Sequence, residues 1–134
     1  MRVPWEHRPS EQNQQRICIV DDDEWVADLL KSLLETFGYD VQAYNSGADF
    51  LANDRRRVTG CLIIDQHMPG IEGLDVIDQL QKEGAQFPTI LISGRLDTRT
   101  KERATSLGVA SVLEKPFAAG RLVGLIRTAL LEYN

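Results

Sequence analysis

Four apolar runs of strand length each stop at a polar group, and this repeat limits the possible folds more than anything else in the chain. Cys61-Leu62-Ile63-Ile64 stops at Asp65, ahead of Gln66-His67-Met68-Pro69-Gly70, where proline and glycine break a strand. Ile17-Cys18-Ile19-Val20 stops at Asp21-Asp22-Asp23, Thr89-Ile90-Leu91-Ile92 at Ser93, and the run from Val109 to Leu113 at Glu114-Lys115-Pro116. Short, nearly continuous apolar runs fit parallel strands covered on both faces. A carboxylate at the carboxyl end of such a strand lies where open α/β sheets place their ligands. Converging on one edge, Asp21, Asp22, Asp65, Ser93 and Lys115 would share a single pocket. Carboxylates packed together resist ionising, and a divalent cation removes that conflict. Few protein ligands, all hard oxygens, suit Mg²⁺, which keeps waters and takes a phosphoryl oxygen.

Between the runs, apolar residues recur at helical spacing. Asp23 is placed to cap a helix in which Val26, Leu29, Leu30, Leu33 and Phe37 recur, with Gly38 as its C-cap. Asp23 and Glu24 suit the positive end of that helix better than a metal. A short strand at 40–44 and a helix from Ser46 to about Asn53 follow, and then Arg55-Arg56-Arg57, a basic run that reads as a solvated turn. Beyond the strand at 60–65, a helix from Leu74 to Lys82 turns Leu74, Ile77 and Leu80 inward and ends at Gly84. Pro88 opens the strand 89–93, and Asp97 caps a fourth helix, Thr98 to Leu107, whose few apolar residues predict a weak hold on the core. After a short fifth strand, the last helix carries Leu122, Leu125, Ile126, Ala129, Leu130 and Tyr133 on one stripe. Five strands alternating with five helices predict a flavodoxin-like doubly wound parallel sheet of order 2-1-3-4-5.

Length and charge narrow the function. The 134 residues suffice for one domain, here 17–134, preceded by an arm over 1–16 that has two prolines and no periodicity and is expected to be flexible; Trp5 could dock, and His7 has no role. A net charge of -5 argues against nucleic-acid binding by the domain. Cys18 and Cys61 fall inside apolar strands and read as reduced core thiols. No stretch has signal-peptide or transmembrane character, so a cytoplasmic protein without membrane contact is expected. The acidic run lacks the glycine and distal glutamate of an EF-hand.

In order and spacing these groups resemble the receiver domain of two-component response regulators, over residues 17–132. Asp21 and Asp22 match that family's acidic pair, Asp65 its phosphorylated aspartate, Ser93 its Ser/Thr hydroxyl and Lys115-Pro116 its Lys-Pro step; Met68-Pro69-Gly70 and Gly73 match the loop after the acceptor. The resemblance implies a domain that catalyses its own phosphorylation and slow dephosphorylation and is not an enzyme in the usual sense. Asp65 would take a phosphoryl group from a sensor histidine kinase or a histidine phosphotransfer protein, with Mg²⁺ held by Asp21, Asp22, Asp65 and the backbone carbonyl of His67. Ser93 would hydrogen-bond a phosphoryl oxygen. Lys115, after a peptide bond to Pro116 expected to be cis, would pair with Asp65 and then with the phosphoryl group. Homodimerisation through the fourth or fifth helix is one expected association. The His67 side chain is read either as a group reaching the phosphoryl site or as an exposed loop residue.

One position departs from the pattern. Three residues before the lysine the family usually carries Tyr or Phe as a rotameric switch, and here stands Val112, which has no ring to swing. That keeps open a receiver-like interaction module that is never phosphorylated. A phosphatase resembling the haloacid dehalogenases would also use Asp21-Asp22-Asp23, Ser93 and Lys115, but it needs an acidic pair after the lysine, where Glu132 is the only acid.

Overall fold

A computed structural model describes residues 16–53 and 60–132; Trp5, His7, the arginines 55–57 and Tyr133 lie outside the described residues. Strands and helices alternate as β1 (Arg16–Val20), α1 (Glu24–Thr36), β2 (Asp40–Tyr44), α2 (Gly47–Asn53), β3 (Cys61–Asp65), α3 (Gly73–Lys82), β4 (Thr89–Ser93), α4 (Thr98–Ser106), β5 (Ser111–Glu114) and α5 (Ala119–Glu132). All pairings are parallel and the order is β2-β1-β3-β4-β5, as the run pattern predicts.

Alternation along the strands divides the core into two layers. Ile17, Ile19, Cys61, Ile63, Ile90 and Ile92 pack beneath α1 and α5. Cys18, Val20, Leu62, Ile64 and Leu91 pack beneath α2, α3 and α4. Every residue of β3 and β4 is buried, which explains why these runs are continuously apolar and end in their only charged or hydroxyl-bearing side chains apart from Thr89. Both cysteines are buried and neither is in a disulfide, and burial pushes the Cys61 thiol up to about 12.

Local signals set the helix ends. The Asp23 carboxylate accepts from the N–H groups of Trp25 (3.0 Å) and Val26 (3.3 Å), and that of Asp97 accepts from Thr100 at 2.8 Å. The Ser46 hydroxyl accepts from Asp49 at 3.0 Å. Gly38 and Gly84 stop α1 and α3 with φ of 91° and 84°, where a Cβ would be strained.

Two helices differ from the sequence pattern. In α1 the buried stripe is Ala27, Leu30 and Leu34, whereas Leu29 is 72% exposed and Phe37 48% exposed. Trp25, Leu29, Leu33 and Phe37, spaced by four, form a second apolar stripe that winds away from the sheet, so apolar spacing alone does not identify the buried one. The Arg127 guanidinium of α5 lies 5.7 Å from the Phe37 ring centroid. In α5, Leu125 is only partly buried. For α4 the expected weak apolar hold is found, with Ala104 its only buried residue. Polar contacts to α3 supplement it: Arg103 Nη2 lies 2.6 Å from Asp75 Oδ1, and the Gln81 amide donates to the Leu107 carbonyl.

Candidate functional site

Register brings the strand-end groups together. Val20 lies beside Ile64, Asp65 beside Ile92, and Ser93 beside Glu114, so the residues that follow β1, end β3 and β4 and follow β5 meet on one edge. Carboxylate oxygens of Asp21, Asp22 and Asp65 all lie within 4.8 Å of one another. Asp21 and Asp65 are buried and Asp22 is exposed.

A single ammonium faces this cluster among the described residues. Lys115 Nζ is 3.3 Å from Asp65 Oδ2 and 3.8 Å from Asp21 Oδ2. The lysine is placed by its backbone N–H, which donates to the Ser93 carbonyl at 2.9 Å, and the peptide bond to Pro116 is cis. Each buried carboxylate also accepts a local N–H: Asp21 Oδ1 from Asp23 at 2.9 Å, Asp65 Oδ1 from His67 at 3.3 Å. Burial nonetheless raises the Asp21 pKa; the Asp23 N–H and Lys115 oppose that shift, and the neighbouring charges of Asp65 and Asp22 add to it. Three clustered carboxylates against one lysine form a donor set of hard oxygens with unbalanced negative charge, which fits a small divalent cation.

Two of the expected groups, Ser93 and His67, bond to the loop that follows β4. Ser93 is fully buried, and its hydroxyl donates to the Arg95 carbonyl at 2.7 Å while accepting from the Arg95 N–H at 3.1 Å. The His67 side chain is exposed, with Nε2 3.5 Å from that same Arg95 carbonyl. Val112 pairs with Leu91 and is partly buried against the α2–α4 layer.

Sequence reasoning passed over Gln66. It is 5% exposed, its Oε1 accepts from the Leu74 N–H at 2.8 Å, and its carbonyl accepts from Gly73 at 3.1 Å. Nothing local in the sequence marks it, because the amide follows the last residue of the strand and stands well ahead of the helix it caps.

A doubly wound sheet whose carboxyl edge gathers clustered carboxylates and one lysine defines the class of open α/β domains whose polar groups collect where such sheets place their ligands. Within that class the chain belongs to the response regulator receiver domain family, which residues 17–127 match. It is 41% identical over 114 residues to response regulator protein TodT of Pseudomonas putida, covering 85% of this chain and 50% of that protein. Over the same length it is 36% identical to transcriptional regulatory protein FixJ of Azorhizobium caulinodans, covering 85% and 54%. Among solved structures, a CheY-like response regulator receiver domain protein from Methanospirillum hungatei superposes with a TM-score of 0.83 at 25% identity, covering 88% of this chain and 94% of that one. The structure described as FixJ-N gives 0.80 at 29% identity, covering 87% and 94%. The chain spans about half the length of the curated relatives it matches. Among the described residues no helix is long and apolar enough to cross a membrane.

Proposed function

We propose that this receiver domain accepts a phosphoryl group on Asp65 from a histidine kinase or a histidine phosphotransfer protein. The observation that supports this reading best is a buried strand-end carboxylate, Asp65, whose Oδ2 lies 3.3 Å from Lys115 Nζ inside a cluster of acids. A carboxylate oxygen of Asp65 attacks phosphorus, the phosphorus–nitrogen bond of the donor breaks, and its electron pair returns to the donor imidazole, leaving an acyl phosphate. The His67 N–H holds Oδ1, which orients the carboxylate. Lys115 releases Asp65 and follows the charge onto the phosphoryl oxygens. Ser93 gives up the Arg95 carbonyl and donates to a phosphoryl oxygen, drawing the loop at Gly94 and Arg95 with it. Asp21, Asp22 and Asp65, with the His67 backbone carbonyl, would hold Mg²⁺, which when bound neutralises charge on the transferring group.

The domain is proposed to span 17–134 after an arm over 1–16, to work in the cytoplasm, and to act on no substrate beyond its own phosphorylation and slow dephosphorylation. A net charge of -5 supports protein partners over nucleic acid or anionic membrane surfaces. Self-association is assigned to α4 or α5.

Incubation with acetyl phosphate and Mg²⁺ tests the reading: one phosphate should be added, labile to hydroxylamine, and lost in Asp65→Asn. Label that persists in that variant, or that resides on Ser93, refutes it. Val112 favours one second reading, an interaction module that is never phosphorylated, and absence of label from the folded native protein selects it.

A further inference from the structure

The residue between the acceptor and His67 is buried and hydrogen-bonded at three atoms. Gln66 donates its backbone N–H to the Ile92 carbonyl at 2.8 Å, accepts from Gly73 at its own carbonyl at 3.1 Å, and accepts from Leu74 at Oε1 at 2.8 Å. The first N–H groups of a helix have no partner within it. In α3 the cap residue Glu72 supplies no side chain, so Gln66 caps the helix from the far side of the loop. The closure is tight, because a Cβ on Gly73 would sit 2.6 Å from the Asp65 carbonyl oxygen and 3.1 Å from the Gln66 Cα. The start of α3 is therefore seated directly against the acceptor's peptide. The loop is tied back at Gln66 before it reaches His67, whose N–H holds Asp65 Oδ1.

We propose that Gln66 is a positioning residue for phosphoryl transfer: its side-chain carbonyl anchors α3 to the acceptor loop and so fixes the orientation of the Asp65 carboxylate. Its hydrogen bonds run to Ile92, Gly73 and Leu74, so it acts through the loop it closes. The proposal rests on Asp65 being the acceptor. Small misplacements of a reacting group cost large factors in rate, and a buried N–H left without its acceptor drives local rearrangement. Gln66→Met keeps the length and burial of the side chain while removing the acceptor. Gln66→Glu keeps an acceptor oxygen at the same reach, and an added negative charge there faces the positive end of α3.

The test measures phosphorylation rate against acetyl phosphate concentration at saturating Mg²⁺, alongside amide hydrogen exchange of the metal-free protein. Gln66→Met is expected to lower the maximal rate about tenfold with the half-saturating concentration little changed, and Gln66→Glu to restore that maximal rate to within about threefold. In the native protein the Leu74 and His67 amides should exchange slowly. Native maximal rates in Gln66→Met, or a loss in Gln66→Glu equal to that in Gln66→Met, would overturn the proposal while Asp65 labelling in the native protein leaves the acceptor intact. Rapid exchange at Leu74 in the native protein would overturn it even if Gln66→Met does not fold. Label that survives Asp65→Asn would remove both readings together.

Discussion

Neutralising Asp65, the proposed acceptor, should make the metal-free domain more stable. At an effective dielectric near 20, Lys115, 3.3 Å from Asp65, attracts it by about 5 kcal/mol. Asp21 and Asp22 lie no more than 4.8 Å from it, and each repels it by roughly 3.5 kcal/mol on the same scale. The two repulsions exceed the attraction by about 2 kcal/mol, and solvent around the exposed Asp22 reduces the excess to about 1 kcal/mol. Asp65→Asn keeps an acceptor for the His67 N–H and leaves Lys115 with Asp21, 3.8 Å away. Urea unfolding in EDTA should therefore find Asp65→Asn about 1 kcal/mol more stable than the native chain, a rise of roughly 3–6 °C in melting temperature for a domain of this size. Lys115→Met should be less stable than native, because it leaves the acids without their cation. Magnesium at ten times its dissociation constant should add about 1.4 kcal/mol to the native protein, and much less to Asp65→Asn. If Asp65→Asn destabilises as much as Lys115→Met, or if magnesium leaves the native curve unmoved, the charge balance assigned to this pocket is wrong.

Other substitutions test the framework around it. Gly73→Ala should cost about 1–3 kcal/mol in urea unfolding, since the new methyl meets backbone atoms of Asp65 and Gln66 that have nowhere to go. Leu34→Ala should cost about 2–5 kcal/mol and Leu29→Ala no more than about 0.5 kcal/mol, because the first side chain is buried and the second is 72% exposed. For Asp97, the Thr100 N–H it accepts lowers its pKa below the ordinary 3.8. The stability it contributes is present above that ordinary value and lost as pH falls through the lower folded one. The gap between native and Asp97→Ala unfolding curves should accordingly be constant near neutrality and close in acid. Burial raises the Asp21 pKa, so its ionisation weighs on the metal-free fold as pH rises through the folded value. Asp21→Asn should flatten that part of the metal-free profile.

The framework was legible in the sequence because its signals are local. A run such as Thr89–Ser93 carries its own strand length and its own ending, and Asp23 and Asp97 bond to backbone only two or three residues away. Once the runs are assigned to a parallel sheet, Asp21, Asp65 and Lys115 have to meet, since such a sheet has one carboxyl edge. What the sequence left open depends on partners distant along the chain or on rotation about a single bond. Which stripe of α1 is buried depends on how the helix rolls on β1 and β2, and both stripes are apolar. The cap from Gln66 reaches eight positions ahead, and the Asp75–Arg103 pair spans twenty-eight. The direction of the Ser93 hydroxyl is one torsion angle, settled by the Arg95 carbonyl two residues on and not by anything in the strand pattern.

The way α4 is fastened makes its seat on α3 sensitive to the electrolyte. One buried alanine, a glutamine amide and an ion pair whose two side chains are 39% and 43% exposed hold it to α3. Added salt screens that pair, the screening length falling from about 10 Å at 0.1 M to about 3 Å at 1 M, whereas the apolar contacts beneath α1 and α5 lose nothing to screening. Raising ionic strength would then loosen α4 against a sheet that stays as firm as before. If the proposed self-association uses α4, two measurements of it made in different buffers would compare two different surfaces.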